Sequence, residues 1–363
     1  SFGDRGLVTL PHTVSSRVVQ LARVPGSGMF AVVASTDAPF ARWMHRLEDH
    51  GGARAAFNGG LPVALERANC AGTGAVCAFS HVAVAPGDKL VAAGIVGGGR
   101  IAVARWNATG APDAGFGIGG ASVGASTEGW DEFVVAVLVD HDGAVWVVTD
   151  GIDAGNGDFS PVVHRFGADG APDESFGSGG RRTVDIPIVP GAAALTDDGR
   201  VMIAGTYALS DRMAITLFRL TAEGDIDGSY GQSGYFWTRY ETVMGVFSLE
   251  LLPDGTAMIG GLYGWQAWEP IRIGKAWWVE ADGKSHVYHL GAYELPLLPT
   301  NEFARNGIVA TVSDRQGGLF ALGANVYEPF GLEGRTFVQA VVSRRTPEQL
   351  PDHTFVPGSR TTL

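Results

Sequence analysis

Short apolar runs alternate with tight polar turns along most of the chain. In one example, apolar residues 134–139 and 144–148 flank the turn Asp140-His141-Asp142-Gly143. Glycine adopts positive φ without strain, so an Asp/Gly turn between two apolar runs predicts a β-hairpin. The same arrangement recurs around five further turns, at residues 25–28, 86–88, 197–199, 253–255 and 314–317.

Two further segments complete each repeat. A third apolar run follows the hairpin, as at residues 101–105 and 214–219, and a fourth short run follows a marker of one aromatic residue and glycine. The repeat is about sixty residues long, a period that indicates a propeller or another repeat array. The markers lie at residues 2–3, 57–60, 116–120, 176–180, 230–234, 355–358 and, in degenerate form, 289–291.

Four strand-like runs in each repeat are typical of the four-stranded blades of a β-propeller. The sequence therefore predicts an all-β fold, a single β-propeller domain of about six blades over residues 1–363. The predicted repeats are 1–56, 57–115, 116–175, 176–229, 230–288 and 289–354, with a terminal strand at 355–363.

Strand copies at both ends of the chain bear on how the propeller closes. An open edge strand invites aggregation, so we expect closure by pairing of N- and C-terminal strands. The N-terminal copy, residues 6–10, is more apolar than the C-terminal copy, residues 359–363. We therefore expect residues 6–10 to complete the last blade, and residues 359–363 to form an added edge strand or a tail.

Charged residues recur in register with the markers. An arginine ends the third run, an aspartate follows eight residues later, and the marker aromatic follows three residues after that. The fifth repeat loses both charges together, since Trp278 and His286 replace them, whereas the first keeps Arg46 but has Arg54 at the partner position. Joint loss favours a structural clamp, because an unpaired, partly buried charge is costly. The pairs are Arg105 and Asp113, Arg165 and Asp173, Arg219 and Asp227, and Arg344 and Asp352.

These motifs resemble a known family. The run from Arg165 to Gly180, RFGADGAPDESFGSGG, together with segments of the type DDGRVMIAG at residues 197–205, is similar to the delta-60 repeat of bacterial β-propellers. The resemblance covers nearly the whole chain and is strongest in the second to fourth repeats. It implies a propeller and frequent export, but no activity or catalytic residues.

Composition and charge narrow the partners. Hydrophobic residues make up 45% of the chain, and the net charge is −12. A nucleic-acid surface requires a basic stripe, because phosphate neutralisation supplies most of that affinity, and no Lys/Arg cluster is present. No apolar run approaches the length of a membrane span. We expect no nucleic-acid partner, no membrane insertion and a monomer.

The two cysteines stand in a short, flexible segment, Cys70-Ala-Gly-Thr-Gly-Ala-Val-Cys77. Small linking residues would let the thiols meet, so we predict a disulfide, with two free thiols or half a metal site as alternatives. A disulfide implies an oxidising compartment. The chain begins at Ser1 without Met or a signal peptide, which fits a processed protein but also a trimmed one. We expect a secreted or periplasmic protein.

Strand parity separates structural from variable connections. Successive strands are antiparallel, so the tight hairpins and marker segments emerge at one face and the other two connections emerge at the opposite face. The second set varies in length and composition, as binding loops on a rigid scaffold do. Exposed aromatics beside carboxylates stack on sugars or form protein hot spots, although they also plug loops over a core. The predicted ligand-binding residues are Tyr263, Trp265, Trp268, Glu269, Tyr327 and Glu328.

One loop carries oxygen ligands in a glycine-rich setting. Asp153, Asn156 and Asp158 would suit Ca²⁺. Their spacing does not match an EF-hand loop, and solvated loop carboxylates are commoner than ligands. We predict no other cofactor or metal site.

These observations lead to a non-catalytic, exported propeller that binds a protein or glycan partner through its variable loop face. The alternative is a hydrolase or lyase acting on a polysaccharide or lactone, with Glu269, Glu328 or Asp158 as acid/base groups near the channel mouth. A third possibility is a purely structural module. No nucleophile elbow, P-loop or zinc-protease motif supports a more specific activity.

Overall fold

A computed structural model provides the architecture. The chain divides into two compact units, Ser1–Asp185 and Ile186–Leu363. The structure describes residues 10, 16–24, 26–35, 41–97, 99–125, 129–209, 212–238, 243–264, 272–284, 286–289, 303–313, 319–328, 337–345 and 361–362.

The first unit holds three four-stranded antiparallel sheets, each running in chain order. Two 3₁₀ turns, Asn58–Gly60 and Cys70–Gly72, interrupt the connections. The strands of the first sheet are β1 Ser16–Arg23, β2 Met29–Ser35, β3 Arg42–Leu47 and β4 Val63–Ala64. Those of the second are β5 Ala78–Ala85, β6 Lys89–Val96, β7 Arg100–Trp106 and β8 Ala121–Val123. Those of the third are β9 Trp130–Val139, β10 Val145–Asp153, β11 Phe159–Phe166 and β12 Arg181–Thr183.

The second unit repeats the pattern with a fourth sheet and an eight-stranded sheet. The fourth sheet contains β13 Ile188–Leu195, β14 Val201–Leu209, β15 Arg212–Leu220 and β16 Tyr235–Trp237. The eight-stranded sheet begins with β17 Val243–Leu251, β18 Ala257–Gly264, β19 Arg272–Val279 and β20 His286–His289. It continues with β21 Phe303–Ser313, β22 Leu319–Glu328, β23 Phe337–Arg345 and β24 Thr361–Thr362.

The blade count needs a correction. The sequence predicts about six separate sheets, whereas the described residues form five. The strands of the fifth and sixth repeats share one sheet because a single parallel bridge, Arg272 to Arg305, joins β19 to β21. Each repeat still contributes four strands in antiparallel order.

The fold is an all-β propeller, as predicted. Within each unit the first strand of one sheet packs beside the first strand of the next, β1 beside β5 and β5 beside β9, and β13 beside β17. Buried aliphatic side chains fill the space between neighbouring sheets, for example Val103 with Val147. Among the described residues, no helix is long and apolar enough to cross a membrane.

The C-terminal strand departs from the prediction. Thr361 and Thr362 pair with Val342 and Val341 and form the regular fourth strand after β23, not an added edge or a tail. The last four strands therefore come from one continuous stretch of chain, as in the preceding repeats. The N-terminal copy predicted to close the propeller, residues 6–10, lies outside the described residues apart from Leu10.

A β-bulge interrupts the first strand of every repeat. One residue is skipped in the pairing with the second strand, for example between Phe79 and His81 and between Pro190 and Ala192. The equivalent irregularities fall at Val18/Gln20, at Val148/Thr149 on the facing strand, at Val246/Ser248 and at Ile308/Ala310. A bulge increases the local twist and bends the strand.

The bulge explains a glycine that recurs in the second strand. A Cβ at Gly94 would lie 1.9 Å from the carbonyl oxygen of Ala78 on the bulged strand. The bulge thus brings the first strand too close for a side chain. In four repeats the residue opposite the bulge is glycine: Gly94, Gly205, Gly261 and Gly323. In the first and third repeats it is Val33 and Thr149.

The predicted arginine–aspartate clamp is present where the structure describes it. Nε of Arg105 donates to Oδ2 of Asp113 at 2.7 Å, and the guanidinium lies 4.5 Å from the ring centroid of Phe116. Arg219 makes the same contacts with Asp227 at 2.8 Å and Tyr230 at 5.0 Å. Arg165 pairs with Asp173 at 3.1 Å, while Asp352 lies outside the described residues.

The clamp also joins consecutive sheets. Nη1 of Arg105 donates to the carbonyl of Ala168 in the next sheet at 2.6 Å, and the N–H of Gly117 donates to the carbonyl of Asp169 at 2.7 Å. In the first repeat, where Arg54 replaces the aspartate, Arg46 pairs instead with Asp88 of the following hairpin at 3.6 Å. The recurring charges are therefore structural, as the joint loss in the fifth repeat indicates.

The predicted disulfide is confirmed between Cys70 and Cys77, whose Cα atoms are 5.7 Å apart. Both residues are buried, whereas Val76, directly before Cys77, is exposed. Reciprocal backbone hydrogen bonds between Arg67 and Cys77 hold the base of the loop.

We expect the native protein to present no alkylatable thiol until it is reduced. Reduction should lower the free energy of unfolding by about 2–3 kcal/mol, since the bond closes a short loop in the unfolded chain. Mass spectrometry after alkylation with and without reductant, together with urea unfolding, measures both quantities. Two alkylated cysteines in unreduced protein would exclude the bond.

Candidate functional site

Each sheet has two unlike ends. We call the hairpin end the one with the tight turn between the first two strands and the clamp segment between the last two. We call the loop end the opposite one, where the second strand leads to the third and the fourth leads to the next sheet. The predicted ligand-binding residues that the structure describes lie at loop ends of the second unit, and the predicted Ca²⁺ loop lies at a loop end of the first.

The structure places part of that predicted site. Tyr263 lies near the end of β18, and Tyr327 and Glu328 end β22, so each stands where a second strand enters its loop. Trp265, Trp268 and Glu269 lie outside the described residues. Their joint role in ligand binding stays a prediction.

The sequence places Trp268-Glu269-Pro270 and Tyr327-Glu328-Pro329 59 residues apart, about one repeat, so we expect them at equivalent places. Strand register gives the offset between the described strands of these two repeats. The second strands start at Ala257 and Leu319, which pair with Leu251 and Ser313 respectively. The offset between the repeats is therefore 319 − 257 = 62 residues. By this offset Tyr327, which lies in β22, corresponds to position 265, and that position lies outside the described residues.

The predicted calcium loop uses its oxygen atoms locally. Oδ1 of Asp153 accepts from the N–H of Gly155 at 2.7 Å. Nδ2 of Asn156 donates to Oδ2 of Asp158 at 2.8 Å, and Oδ1 of Asn156 accepts from the N–H of Asp158 at 2.9 Å. Such side-chain contacts stabilise the turn itself. Within the described part of the chain, no group of three His, Cys, Asp or Glu residues could hold a metal ion.

A buried polar row crosses the third sheet, with one residue from each strand. Glu132 on β9 accepts at Oε2 from Oγ1 of Thr149 on β10 at 2.8 Å and lies 2.6 Å from Nε2 of His164 on β11. Its Oε1 accepts from Nε of Arg181 on β12 at 2.9 Å. Glu132, Thr149 and His164 are 0–4% exposed. The row lies on the side of the sheet that packs against the second sheet.

Neighbouring repeats have small or apolar residues at the same positions. Register matches the pair His164 and Arg181 with Ala104 and Ala121 in the second sheet. In the fourth sheet the same two positions hold the aromatic pair Phe218 and Tyr235. The positions of Thr149 and Glu132 are taken there by Gly205 and Ile188. Sequence analysis missed the row, although comparing repeats position by position would have found it as four polar replacements together.

Electrostatics keep Glu132 ionised. Burial alone would raise the pKa of Glu132, but the hydrogen bond from His164 and the positive charge of Arg181 lower it below its ordinary value. Nδ1 of His164 is buried without a hydrogen-bond partner among the described residues. The neighbour of that nitrogen is Gly124, on which a Cβ would lie only 3.3 Å from Nδ1. The row can hold charge in place, but it is closed to a substrate.

The other side of the same sheet is partly exposed toward its loop end, although Val148 and Val163 on that side are buried. Phe133 on β9 stands directly opposite Asp150 on β10, and Pro161 on β11 stands opposite Asp150 on its other flank. Phe133 is 58% exposed and Phe159, at the start of β11, is 41% exposed. We call Phe133, Asp150 and Phe159 the β10 patch. It lies toward the loop end of the sheet.

Asp150 differs from the aspartates of the clamp. Burial raises its pKa to about 6. Its Oδ1 has no hydrogen-bond partner within the described part of the chain. By contrast, hydrogen bonds from Ser229 and the charge of Arg219 hold the pKa of Asp227 below its ordinary value. A carboxyl without a compensating cation or donor is unusual in this molecule.

Comparison with known proteins gives only distant structural similarity. No protein-family model matches the chain, and no curated protein matches it. The polysaccharide lyase Uly1 is 10% identical with a TM-score of 0.44, over 78% of this chain and 72% of the lyase. The β-propeller domain of the Trilobed protease from Pyrococcus furiosus is 8% identical with a TM-score of 0.46, over 93% and 92%. Drosophila Semaphorin 2a is 7% identical with a TM-score of 0.48, over 93% and 68%.

Proposed function

We propose that this chain is a non-catalytic, exported propeller that binds a protein or glycan partner through the loop ends of its sheets. One observation carries the proposal: large apolar side chains are exposed there. In the first unit these are Val76 beside the disulfide, Ile95 near the end of β6 and Phe159, and in the second unit Trp237. Apolar groups exposed together on a soluble scaffold mark interaction surfaces.

The hairpin ends have a different character. The arginines and aspartates of the clamp are used within the fold there, as Arg105 with Asp113 and Arg219 with Asp227 show. Backbone hydrogen bonds from the markers to the next turn use further polar groups there. Two exposed apolar residues, Leu61 and Ile118, also lie near these turns, so the distinction between the ends rests mainly on the polar groups.

Export is the part of the proposal that rests on the disulfide. A bond between Cys70 and Cys77 persists in oxidising compartments, which favours a secreted or periplasmic location. A net charge of −12 disfavours nucleic acid as the partner. The delta-60 resemblance is consistent with this location and remains a prediction.

The alternative function is hydrolysis or cleavage of a polysaccharide or lactone. Asp150 favours it to a limited extent, because a raised pKa near 6 suits a general acid. The earlier candidates do not gain similar support: Asp158 is hydrogen-bonded in its own loop, and Glu269 lies outside the described residues. Reducing-end release from a polysaccharide panel, measured for wild type and Asp150→Asn, would establish the enzyme if only wild type were active.

The binding function is tested by removing the predicted aromatic residues of the fifth and sixth repeats. We expect the variant Trp265→Ala, Trp268→Ala, Tyr327→Ala to lose binding to a glycan array or to extracellular proteins by at least about tenfold, because stacking on several rings is lost. Its thermal midpoint should stay close to that of wild type. Binding is measured by surface plasmon resonance on each ligand that wild type retains.

A matched variant keeps this test specific. Phe247→Ala removes an exposed aromatic ring from β17 of the same unit, away from the loop ends, and should leave binding unchanged. A triple variant that unfolds many degrees earlier would show that the three rings are core plugs. A triple variant that is stable and binds normally would contradict the proposed site.

A further inference from the structure

The protein repeatedly holds a cation between a carboxylate and an aromatic ring. Arg105 does so with Asp113 and Phe116, at 2.7 Å from the carboxylate oxygen and 4.5 Å from the ring centroid. Arg219 repeats the arrangement in the second unit. Charge-assisted hydrogen bonding and the cation–π attraction act on the same guanidinium, so each contact orients it for the other.

The β10 patch has two of these three components. Asp150 and Phe133 are direct cross-strand partners, which places their Cβ atoms about 5 Å apart. Phe159 lies on the same side of the sheet, opposite Ile152, two positions along β10. No cation pairs with Asp150 among the described residues, and its Oδ1 accepts no hydrogen bond from them.

We infer that the β10 patch receives an arginine or lysine side chain from a basic segment of a protein partner. The inference rests on the proposed binding function and narrows its partner to a protein. The cation would take the place that Arg105 occupies in the clamp, donating to Asp150 while its alkyl stem or guanidinium lies against Phe133. Phe159 would cover the next residue of the segment.

Charge around the patch favours a basic peptide over a glycan. Asp131 on the same side of the sheet is exposed, and Asp153 and Asp158 occupy the adjoining loop. Glu132 adds no free charge, because it is buried and paired with Arg181. The whole chain carries a net charge of −12. By register Arg165 and Arg182 lie on the same side toward the hairpin end, and Arg165 pairs with Asp173. A segment with several basic residues gains from the carboxylates at the loop end, whereas a neutral sugar gains from none of their charges.

The test measures binding of a fluorescein-labelled hexa-arginine peptide by fluorescence anisotropy at about 150 mM salt, where long-range attraction is screened. We expect Asp150→Asn to weaken binding about tenfold and Phe133→Ala about fivefold. Thermal midpoints of both variants should remain near that of wild type, since both residues are at least partly exposed.

Matched variants separate the patch from general acidity. Asp142→Asn removes one exposed carboxylate at the hairpin end of the same sheet, and Ile118→Ala removes an exposed apolar side chain from a hairpin-end turn. Both should change the affinity by less than twofold. Equal losses for Asp142→Asn and Asp150→Asn would overturn the inference, as would a wild type that does not bind the peptide at all.

The pH dependence of peptide binding gives a second readout. Binding should weaken as pH falls through about 6, because Asp150 takes up its proton there and loses its charge while the peptide stays fully charged. Asp150→Asn should show no such step. A step that persists in this variant would assign the titration to another group and overturn the inference. By register the other charged residues on this side of the sheet are Asp131, Arg165 and Arg182.

Failure here and failure of the proposed function are distinguishable. If the aromatic triple variant loses its ligands but Asp150→Asn binds hexa-arginine normally, only the basic-segment inference fails. If Asp150→Asn loses the peptide and the triple variant keeps every ligand, the inference stands, and the partner site lies on the third sheet instead of the fifth and sixth repeats.

Discussion

Replacing Glu132 with alanine is expected to lower the free energy of unfolding by about 3–5 kcal/mol. The substitution leaves Arg181 and His164 without the carboxylate that they contact, and the Arg181 side chain is only 15% exposed. Removing one partner of a buried ion pair has a cost of this size. Thr149 loses an acceptor as well. Urea unfolding of wild type and variant at pH 7, followed by intrinsic fluorescence, measures the difference.

The pH dependence of this loss identifies its cause. The folded-state pKa of Glu132 is lowered, so its stabilisation is present above the unfolded pKa of about 4.3 and disappears as pH falls through the folded value. The difference between wild type and Glu132→Gln should therefore shrink below about pH 4. Asp142→Asn, which neutralises an exposed carboxylate of the same sheet, should change stability by less than about 0.5 kcal/mol.

A double-mutant cycle sharpens the expectation. If the two charges act as a unit, Glu132→Ala combined with Arg181→Ala should cost clearly less than the sum of the single losses. Strictly additive losses, or a loss below about 1 kcal/mol for Glu132→Ala alone, would contradict a buried ion pair in the third sheet.

Substitution of Gly94 with valine is expected to cost at least about 3 kcal/mol, or to prevent folding. The first atom of any side chain there would lie 1.9 Å from the carbonyl oxygen of Ala78 and 2.5 Å from Cα of Phe79, so the bulged strand β5 must move. β5 packs between its neighbours in the first unit, which limits that movement. Expression of folded protein and its urea midpoint measure the effect.

Gly97→Ala is the matched control. Gly97 follows the same strand, and a Cβ there meets only Cβ of Ala75 at an ordinary 3.5 Å, so stability should change by less than about 0.5 kcal/mol. Val33 and Thr149 occupy the equivalent position in two other repeats. If Gly94→Val had normal stability, β5 would be able to move away from the new side chain, as the first strands opposite Val33 and Thr149 accommodate theirs. That outcome would contradict the prediction.

Sequence predicted the repeat, the four strands in each repeat, the clamp and the disulfide because each depends on local spacing. Asp/Gly turns define hairpins, and an arginine eight residues before an aspartate is enough to identify the Arg105 and Asp113 pair. The bulges were not predictable in the same way. They depend on the fit of a first strand against its neighbours, and the only local trace is a glycine such as Gly94 in the second strand.

The candidate sites were harder to predict for a related reason. The polar row and the β10 patch depend on which residues stand opposite each other across four strands, and that register shifts by one at the bulge. Sequence reasoning favoured aromatic loop residues such as Trp268 because they stand out by type. Asp150 and Phe133 look like ordinary strand residues, and only their cross-strand pairing shows them as a unit.

The bulges also set how each first strand tolerates insertions and deletions. Side chains alternate between the two sides of a strand, and one extra residue reverses that alternation beyond the bulge. In β9, Val137 and Val139 lie on the hairpin side of the bulge and face the buried core. Across the bulge the alternation is reversed, so Glu132 faces that same core and Phe133 lies on the exposed side. Loss of the single residue Val135 would remove the bulge and leave Glu132 and Phe133 on their present sides, because Ala136 already pairs with Val148 and Val134 with Thr149. Regular pairing that kept every residue of β9, with Val135 opposite Thr149, would instead turn Glu132 outward and bring Phe133 to the buried side. The polar row therefore depends on leaving Val135 unpaired, and β9 can lose that one residue without losing the row.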